Sequence, residues 1–544
     1  MHFIRVVVLC GLTANLAFGQ AGKSNNAPDL GLTATGRQHH PIRTANKDAQ
    51  AYFDQGLTLM YGFNHEEAQR AFEKAAQLDS ASPMPLWGIA MAVGPNYNAD
   101  VDAAREKLAF DTVQKALKLA EHSPAAERDY VSALVARYSD AENPDYKKLA
   151  RDYAEQMRLL SQKYPDDLDA ATLHAESLMN LNPWKLWSTD GKPGENTVEI
   201  VQVLESVLTR DPLHAGANHY YIHAMEASPS PERALPSAQR LEAMVPKAGH
   251  LVHMPAHIYA RVGNFSAAAE SNEKAIVADV SYAKAAEQSG SMYDLMYHSH
   301  NEHFLAYAAC MAGRYSEARK AAEAMEARLK PHAQTMPMLD TFLWTPIWVD
   351  LRFAKWDAIL ARSEPPTERV ISHLMWRFAR ANAYAARGDV ERADAEKLLF
   401  TKAAATLPPD AGFAEMNRAA AVLAVANEVL AARIDAAKKN NDSAIRHWRL
   451  AVKAQDKLNY DEPPDWYYPV RESLGAALFA AGSAKEAEIV FREDLRQNPR
   501  NPRSLFGLQA SLAAQHADSD ADWVDRQFRA AWKNADTELR LADF

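Results

Sequence analysis

Residues Ala49 to Asp79 read AQAYFDQGLTLMYGFNHEEAQRAFEKAAQLD, and this stretch decides the fold. Apolar and small residues recur at helical spacing on both sides of a turn, at Gly56, Ala68, Phe72, Ala75 and Leu78. Small residues let two antiparallel helices approach closely, and the apolar residues fill the groove against the next pair. The stretch therefore predicts a helix pair that must stack on further pairs.

The same pattern returns four more times along the chain, around Gly263, Gly313, Gly388 and Gly482. At a repeat length of about 34 residues, we expect about a dozen helix pairs. No stretch alternates with a period of two, so no sheet is expected. Two stretches are irregular: Leu181–Asn196, interpreted as a loop inserted within one pair, and Tyr460–Tyr468, a Pro-rich connection before the last two pairs.

The repeated residues resemble the tetratricopeptide repeat (TPR) family over about residues 45–535. This resemblance implies an all-α, right-handed superhelical solenoid of about a dozen antiparallel helix pairs. The phrases YGFNHEEA, HMPAHIYARVGN, HNEHF and EPPDWYYPVRESLGAAL are also similar to a group of secreted bacterial repeat proteins with no securely known activity. The resemblance thus implies a fold but no chemistry.

The first 20 residues are typical of a secretory signal peptide. Arg5 precedes a short apolar run, and Ala17-Phe18-Gly19 offers a cleavage site. This predicts a periplasmic or secreted protein with a signal peptide at 1–20 and a flexible leader at 21–44. The rest divides into N-terminal repeats at 45–212, His-rich central repeats at 213–330 and C-terminal repeats at 331–544.

Composition limits the partners. The 544 residues carry a formal charge of −10 without a basic stripe, so nucleic acid and anionic lipid are not expected partners. The mature chain contains no apolar stretch that predicts a membrane span. Cleavage would leave Cys310 as the only cysteine, and a single cysteine forms no internal disulfide. The oligomeric state stays open.

The most unusual feature is a block of histidines in three successive first helices. In TPR proteins the second, fifth and ninth positions of each first helix face the concave groove. By the family register, seven of the nine residues at these positions are histidine. Imidazoles from neighbouring helices, which pack about 8–10 Å apart, can converge on one ion.

We therefore predict a transition-metal site, with Cu or Zn favoured and Fe also possible. Its predicted ligands are His219, His223, His253, His257, His300 and His303. Possible additional members are His250, Glu226, Glu176 and Arg261. Metal-bound imidazoles require outer partners, and the candidates are Glu176, Asn218, Asn301, Glu302 and Tyr297.

Alternatives remain for this block. The histidines could be packing residues, or they could line a groove that binds an anionic or peptide ligand without metal. Function divides in the same way: a metalloenzyme acting on a small organic ligand, or a TPR scaffold that binds a peptide or partner protein in the cell envelope. No catalytic motif decides whether the protein is an enzyme. The roles of His39, His40 and His65 also stay open.

Overall fold

The computed structural model describes residues 38–98, 100–285, 290–414 and 416–544, and this part of the chain is all-helical. Its only β features are two isolated bridges, Trp187 with Pro193 and Gly412 with Arg418. The helices are α1 (Lys47–Tyr61), α2 (His65–Leu78), α3 (Met84–Val93), α4 (Ala103–Ala120), α5 (Ala125–Val135), α6 (Tyr146–Lys163), α7 (Leu168–Met179), α8 (Thr197–Arg210), α9 (Ala215–Met225), α10 (Leu235–Met244), α11 (Gly249–His253), α12 (Pro255–Arg261), α13 (Phe265–Ala285), α14 (Ser299–Met311), α15 (Tyr315–Leu329), α16 (Asp340–Leu343), α17 (Thr345–Arg352), α18 (Trp356–Ala361), α19 (Val370–Ala386), α20 (Val390–Ala404), α21 (Ala419–Ala437), α22 (Asn441–Gln455), α23 (Val470–Ala480), α24 (Ala484–Gln497), α25 (Pro502–Ala513) and α26 (Asp518–Ala531). Short 3₁₀ turns lie at Pro231–Ala234, Pro337–Leu339 and Leu541–Asp543, and a π-helical turn at Asp294–His298 precedes α14.

Consecutive helices pack as pairs, from α1 with α2 to α25 with α26, and the described residues form twelve such pairs. The predictions of about a dozen helix pairs and of no sheet are confirmed. In the sixth pair the first helix is interrupted before Pro255, because proline cannot donate the helical hydrogen bond. Met254 keeps right-handed helical backbone angles, so α11 and α12 continue in nearly the same direction.

The glycines of the repeat pattern are explained by close packing. A Cβ added at Gly56 would lie 2.7 Å from the ring of Phe72, and one at Gly88 would lie 2.5 Å from it. The last pairs repeat the arrangement, with Gly475 and Gly507 on either side of Phe491. A helical residue with no side chain thus makes room for the ring that joins three helices.

The chain folds back on its own inner side. Gly216 of α9 lies against the ring of Tyr61 at the end of α1, so the first pair packs on the fifth. Gly263 meets the backbone of Pro499, and Gly313 meets the ring of Trp532. The central pairs therefore lie between the two ends of the chain, and the expected open groove is covered here by the protein's own segments.

Both irregular stretches lie where they were predicted. Residues 181–196 connect α7 and α8 of one pair, and residues 460–468 connect α22 to the last two pairs. The predicted signal peptide and leader residues 21–37 lie outside the described residues. The end of the leader is held in place, since Gln38 and His40 both bind the carboxylate of Asp169. Within the described residues, no helix is long and apolar enough to cross a membrane.

Candidate metal centre

Three first helices bring six imidazoles together on the inner side of the central pairs. α9 supplies His219 and His223, one helical turn apart on the same face. The α11–α12 unit supplies His250, His253 and His257, and α14 supplies His300. All are buried except His300, which is half-buried. Five of the six predicted ligands therefore converge, together with His250, which was predicted only as a possible additional member, and the space they face is enclosed.

His219, His223 and His250 form the first triad. One ring nitrogen from each lies within 4.8 Å of the others. The Nε2 atoms of His219 and His250 are 3.1 Å apart. His223 Nε2 and His250 Nδ1 are buried without a hydrogen-bond partner. Unpartnered buried nitrogens are costly, so this triad has unused ligand capacity.

His253, His257 and His300 form the second triad, again with ring nitrogens within 4.8 Å of one another. His253 Nε2 lies 2.7 Å from His257 Nε2 and 3.1 Å from His300 Nε2. All three Nε2 atoms therefore point to one small volume. Two imidazole nitrogens bound to one tetrahedral zinc at about 2.0–2.1 Å would be about 3.3 Å apart, which is close to these separations.

In one histidine of each triad, the opposite ring nitrogen has a fixed acceptor. His219 Nδ1 donates to the Tyr61 carbonyl over 2.5 Å, and His253 Nδ1 donates to Asn272 Oδ1 over 2.7 Å. Asn272 is itself oriented, because its amide nitrogen donates to the Ala268 carbonyl over 2.8 Å. Each acceptor places the proton on Nδ1 and leaves the Nε2 lone pair facing its triad. This is the outer-partner arrangement that orients metal-ligating histidines.

Two buried carboxylates complete the centre. Glu226 Oε1 lies 3.0 Å from His223 Nδ1, and Glu226 Oε2 lies 2.6 Å from His257 Nδ1. Glu462, from the connection at residues 460–468, places Oε2 2.8 Å from the same His257 nitrogen. The contacts to His257 are ion-pair separations without hydrogen-bond alignment, since both Oε2 atoms lack a hydrogen bond. Tyr460 donates its hydroxyl to the other oxygen of Glu462.

Burial and neighbouring charges shift the pKa values of the histidines and glutamates of the centre in opposite directions. Burial lowers the pKa values of His219, His250, His253 and His300 well below the usual range, and neighbouring imidazoles add to the effect. For His257, burial is outweighed by Glu226 and Glu462, which raise its pKa to about 10. In the reverse direction, His223 and His257 outweigh burial and lower the pKa of Glu226 to about 2. Burial also raises the pKa of Glu462.

The geometry of the second triad suits a metal ion better than protons. His253 Nε2 has one lone pair, yet the Nε2 atoms of His257 and His300 both face it. One lone pair cannot fully accept two N–H donors. An ion among the three nitrogens would use all three lone pairs.

Strained aromatic residues wall the first triad. Phe63 has a φ of 56°, at the turn position where other pairs carry Gly263, Gly313, Gly388 and Gly482. Its ring lies 4.6 Å from His219 and 5.5 Å from His250, between centroids. Trp184, with a φ of 59°, packs against His223. A left-handed backbone is costly for bulky residues, but it recurs at the turns of other pairs, as at Lys439 and His516, so the ring contacts and not the backbone distinguish the first triad.

Three predicted members lie apart from the triads. The ring of His303 packs against Phe342 and Trp348, so it lies outside the second triad. His300 is therefore the one residue that α14 contributes to that triad. Glu176 binds the Asn180 amide and lies in a separate small pocket with His65 and Arg137. Within the part of the chain that the structure describes, Arg261 donates to backbone carbonyls rather than to a carboxylate, at Glu226 and Ser228 at the end of α9.

The outer partners were mostly missed from sequence. Asn218, Asn301 and Glu302 are bound elsewhere, to Arg240, Asp279 and Arg328. Asn272 lies on a second helix, and Glu462 lies more than 150 residues beyond the histidines it meets. The sequence signal for Glu462 is the unusual EPPDWYY phrase, which by its prolines predicts only a connection.

The sequence matches no protein-family model and no curated protein. Solved helical-repeat structures are similar in fold. Ypp1 has a TM-score of 0.44 at 10% identity, over 91% of this chain and 82% of its own. Yeast Tom70 has a TM-score of 0.32 at 12% identity (88% and 96% covered), and a human IFIT1 dimer with PPP-AAAA has 0.29 at 13% (90% and 96% covered). At these scores, nothing that those proteins bind is carried over to this chain.

Proposed function

We propose that this helical-repeat protein is exported and binds transition-metal ions, Cu or Zn foremost, in the enclosed centre formed by the two triads. The single observation that carries the proposal is the convergence of three Nε2 atoms in the second triad, with the outer nitrogen of His253 fixed by Asn272. Neutral imidazole is a good ligand for these ions. Carboxylates at Glu226 and Glu462 supply negative charge beside them.

The proposal extends to catalysis at the second triad. His300 is half-buried while the other five rings are buried, so this triad is the one nearest solvent. An ion held there by His253, His257 and His300 would be able to activate water or dioxygen toward a small organic ligand.

The alternative of a metal-free peptide-binding scaffold is supported less well. Its groove would be the inner face of the central pairs, and there Phe63, Trp184 and Glu462 pack directly on the histidines. A peptide would have to displace these segments. A peptide site elsewhere on the repeats would leave the buried histidines unexplained.

Elemental analysis of protein purified without an affinity tag tests the proposal. We expect at least one equivalent of Cu or Zn per chain, directly or after loading and desalting. The variant His253→Ala/His257→Ala should lose the metal of the second triad, because it removes two of three converging nitrogens. A matched control is His373→Ala/His447→Ala, which removes two histidines that pair with Glu364 and Glu428 instead.

The control should retain the wild-type metal content. Metal that stays below stoichiometry under loading, or that is unchanged in His253→Ala/His257→Ala, would refute the proposal. Capture of a periplasmic partner that ignores chelators, together with absent metal, would favour the scaffold.

A further inference from the structure

The two triads adjoin each other without an intervening layer of protein. His223 of the first triad and His257 of the second have ring centroids 6.0 Å apart. His250 and His253 are likewise 5.9 Å apart. Each triad therefore contacts the other through two of its own rings, on two different helices.

One carboxylate also joins them. Glu226 uses Oε1 for His223 and Oε2 for His257, so a single side chain is the outer partner of one imidazole in each triad. It is buried, and Arg261 donates to its backbone carbonyl, which fixes the end of α9 beside it. Any change at one triad that moves Glu226 therefore also moves the outer partner of an imidazole in the other triad.

The buried carboxylates favour a bound cation. Glu226 and Glu462 are both buried, and both direct an oxygen without a hydrogen bond toward His257. Carboxylate oxygens that lack a hydrogen bond leave negative charge that a cation in either triad would offset.

We infer that the two triads form one dinuclear centre, with each triad binding one first-row transition ion and Glu226 coupling the pair. The inference rests on the proposed function and goes beyond it by fixing the number of ions and their proximity. His219, His223 and His250 would bind the enclosed ion, and His253, His257 and His300 the ion nearer solvent.

Copper titration followed by electron paramagnetic resonance (EPR) tests the inference on the full chain. We expect two Cu²⁺ per chain, with an integrated EPR signal well below two spins because neighbouring ions couple magnetically. His219→Ala should retain only the outer ion and His300→Ala chiefly the inner ion. Each variant should then show the full signal of one isolated spin.

Glu226→Gln sharpens the assignment, since it removes the shared charge but keeps the shape. It should weaken both copper-binding steps together, by about tenfold each, as loss of an outer partner does. Circular dichroism and the unfolding midpoint of each metal-free variant check that it folds, and His303→Ala is the matched histidine control outside both triads.

The failures are distinguishable. One Cu²⁺ per chain, or two ions with two full uncoupled spins, would overturn the dinuclear centre while leaving metal binding intact. No copper binding at all would overturn the proposed function itself.

Discussion

Two buried polar clusters in this protein differ in how they satisfy their own atoms. In the C-terminal half, Arg352 donates to both oxygens of Glu472, and Asn501 bridges Glu472 to Asp494. Every carboxylate oxygen there accepts a hydrogen bond, with Ser504 and Asn498 completing Asp494. In the central centre, by contrast, carboxylate and imidazole atoms are buried without hydrogen-bond partners.

The contrast separates a structural cluster from a candidate site. Both are buried and both join segments far apart in sequence, so neither property identifies function. The difference lies in unused lone pairs: the unpaired atoms beside Glu472 are N–H donors, the Nε of Arg352 and of Arg503, whereas the Nε2 atoms of the triads face one another. An unpaired N–H donor offers nothing to a cation, while a candidate ligand site keeps lone pairs that a cation can use.

Acidification should give the largest difference between the two clusters, in their contributions to the free energy of unfolding. Four triad histidines (His219, His250, His253 and His300) have folded-state pKa values well below that of the unfolded chain. Between pH 7.0 and 5.5 the unfolded state gains protons that the metal-free folded state cannot accept, which costs about 1 kcal/mol per histidine. His257, with its pKa raised to about 10, stays protonated when folded and offsets less than about 1 kcal/mol.

Asp494 works in the opposite direction, because burial raises its pKa to about 6 and protonation then favours the folded state. Urea unfolding of metal-free protein at both pH values measures the difference. We expect a net loss of about 3 kcal/mol on acidification. His300→Gln should recover about 1 kcal/mol of that loss. Unchanged stability between pH 7.0 and 5.5 would contradict the buried, neutral state of the triads.

Removing one carboxylate from each cluster should have different effects on stability and on metal binding. Glu472→Gln leaves the buried guanidinium of Arg352 incompletely paired, and should cost about 3 kcal/mol of unfolding free energy without changing metal content. Glu462→Gln removes a charge whose Oε2 has no hydrogen bond but keeps an acceptor for Tyr460. We expect it to change metal-free stability by less than about 1 kcal/mol and to weaken metal binding about tenfold.

Unfolding of the two metal-free variants and metal titration of both form the experiment. If Glu462→Gln destabilised the chain as much as Glu472→Gln and left metal affinity intact, the central cluster would be structural like the other.

The fold was predictable because its signals are local. The glycine, alanine and aromatic spacing around Phe72 and Phe491 is set by contacts between neighbouring helices, and it returns with each repeat. The convergence of five of the six predicted ligands was predictable for the same reason, since each stripe lies on one helix face, and His250, predicted only as a possible member, joins them. His303 was misplaced because position in the register does not decide which rings fill gaps beside Phe342 and Trp348.

The rest of the centre depends on how the chain ends fold onto the middle. Tyr61, Phe63 and Glu462 reach the histidines only because the first pair and the connection after α22 pack against the central helices. No local pattern encodes those approaches. The repeat pattern therefore could not predict the enclosure of the site, or the burial that lowers the pKa values of four of its histidines.

The smallest expected effect is on metal affinity, and it comes from one side chain, Asn272. Asn272→Ala removes the acceptor that holds the proton of His253 on Nδ1. Without it, His253 can place a proton on Nε2, which faces the ion, so metal affinity should fall about tenfold, or about 1.4 kcal/mol. Isothermal titration with Zn²⁺ at pH 7.5 measures the change.

Asn382→Ala is the matched control. Asn272 and Asn382 are both buried, and each amide donates over 2.8 Å to the carbonyl one helical turn before it, at Ala268 and Phe378. Both variants therefore lose the same intrahelical bond, but only Asn272 has a histidine at its oxygen. Equal zinc affinities in the two variants would mean that the His253 tautomer does not matter for binding, and the assignment of Asn272 as an outer partner would then be wrong.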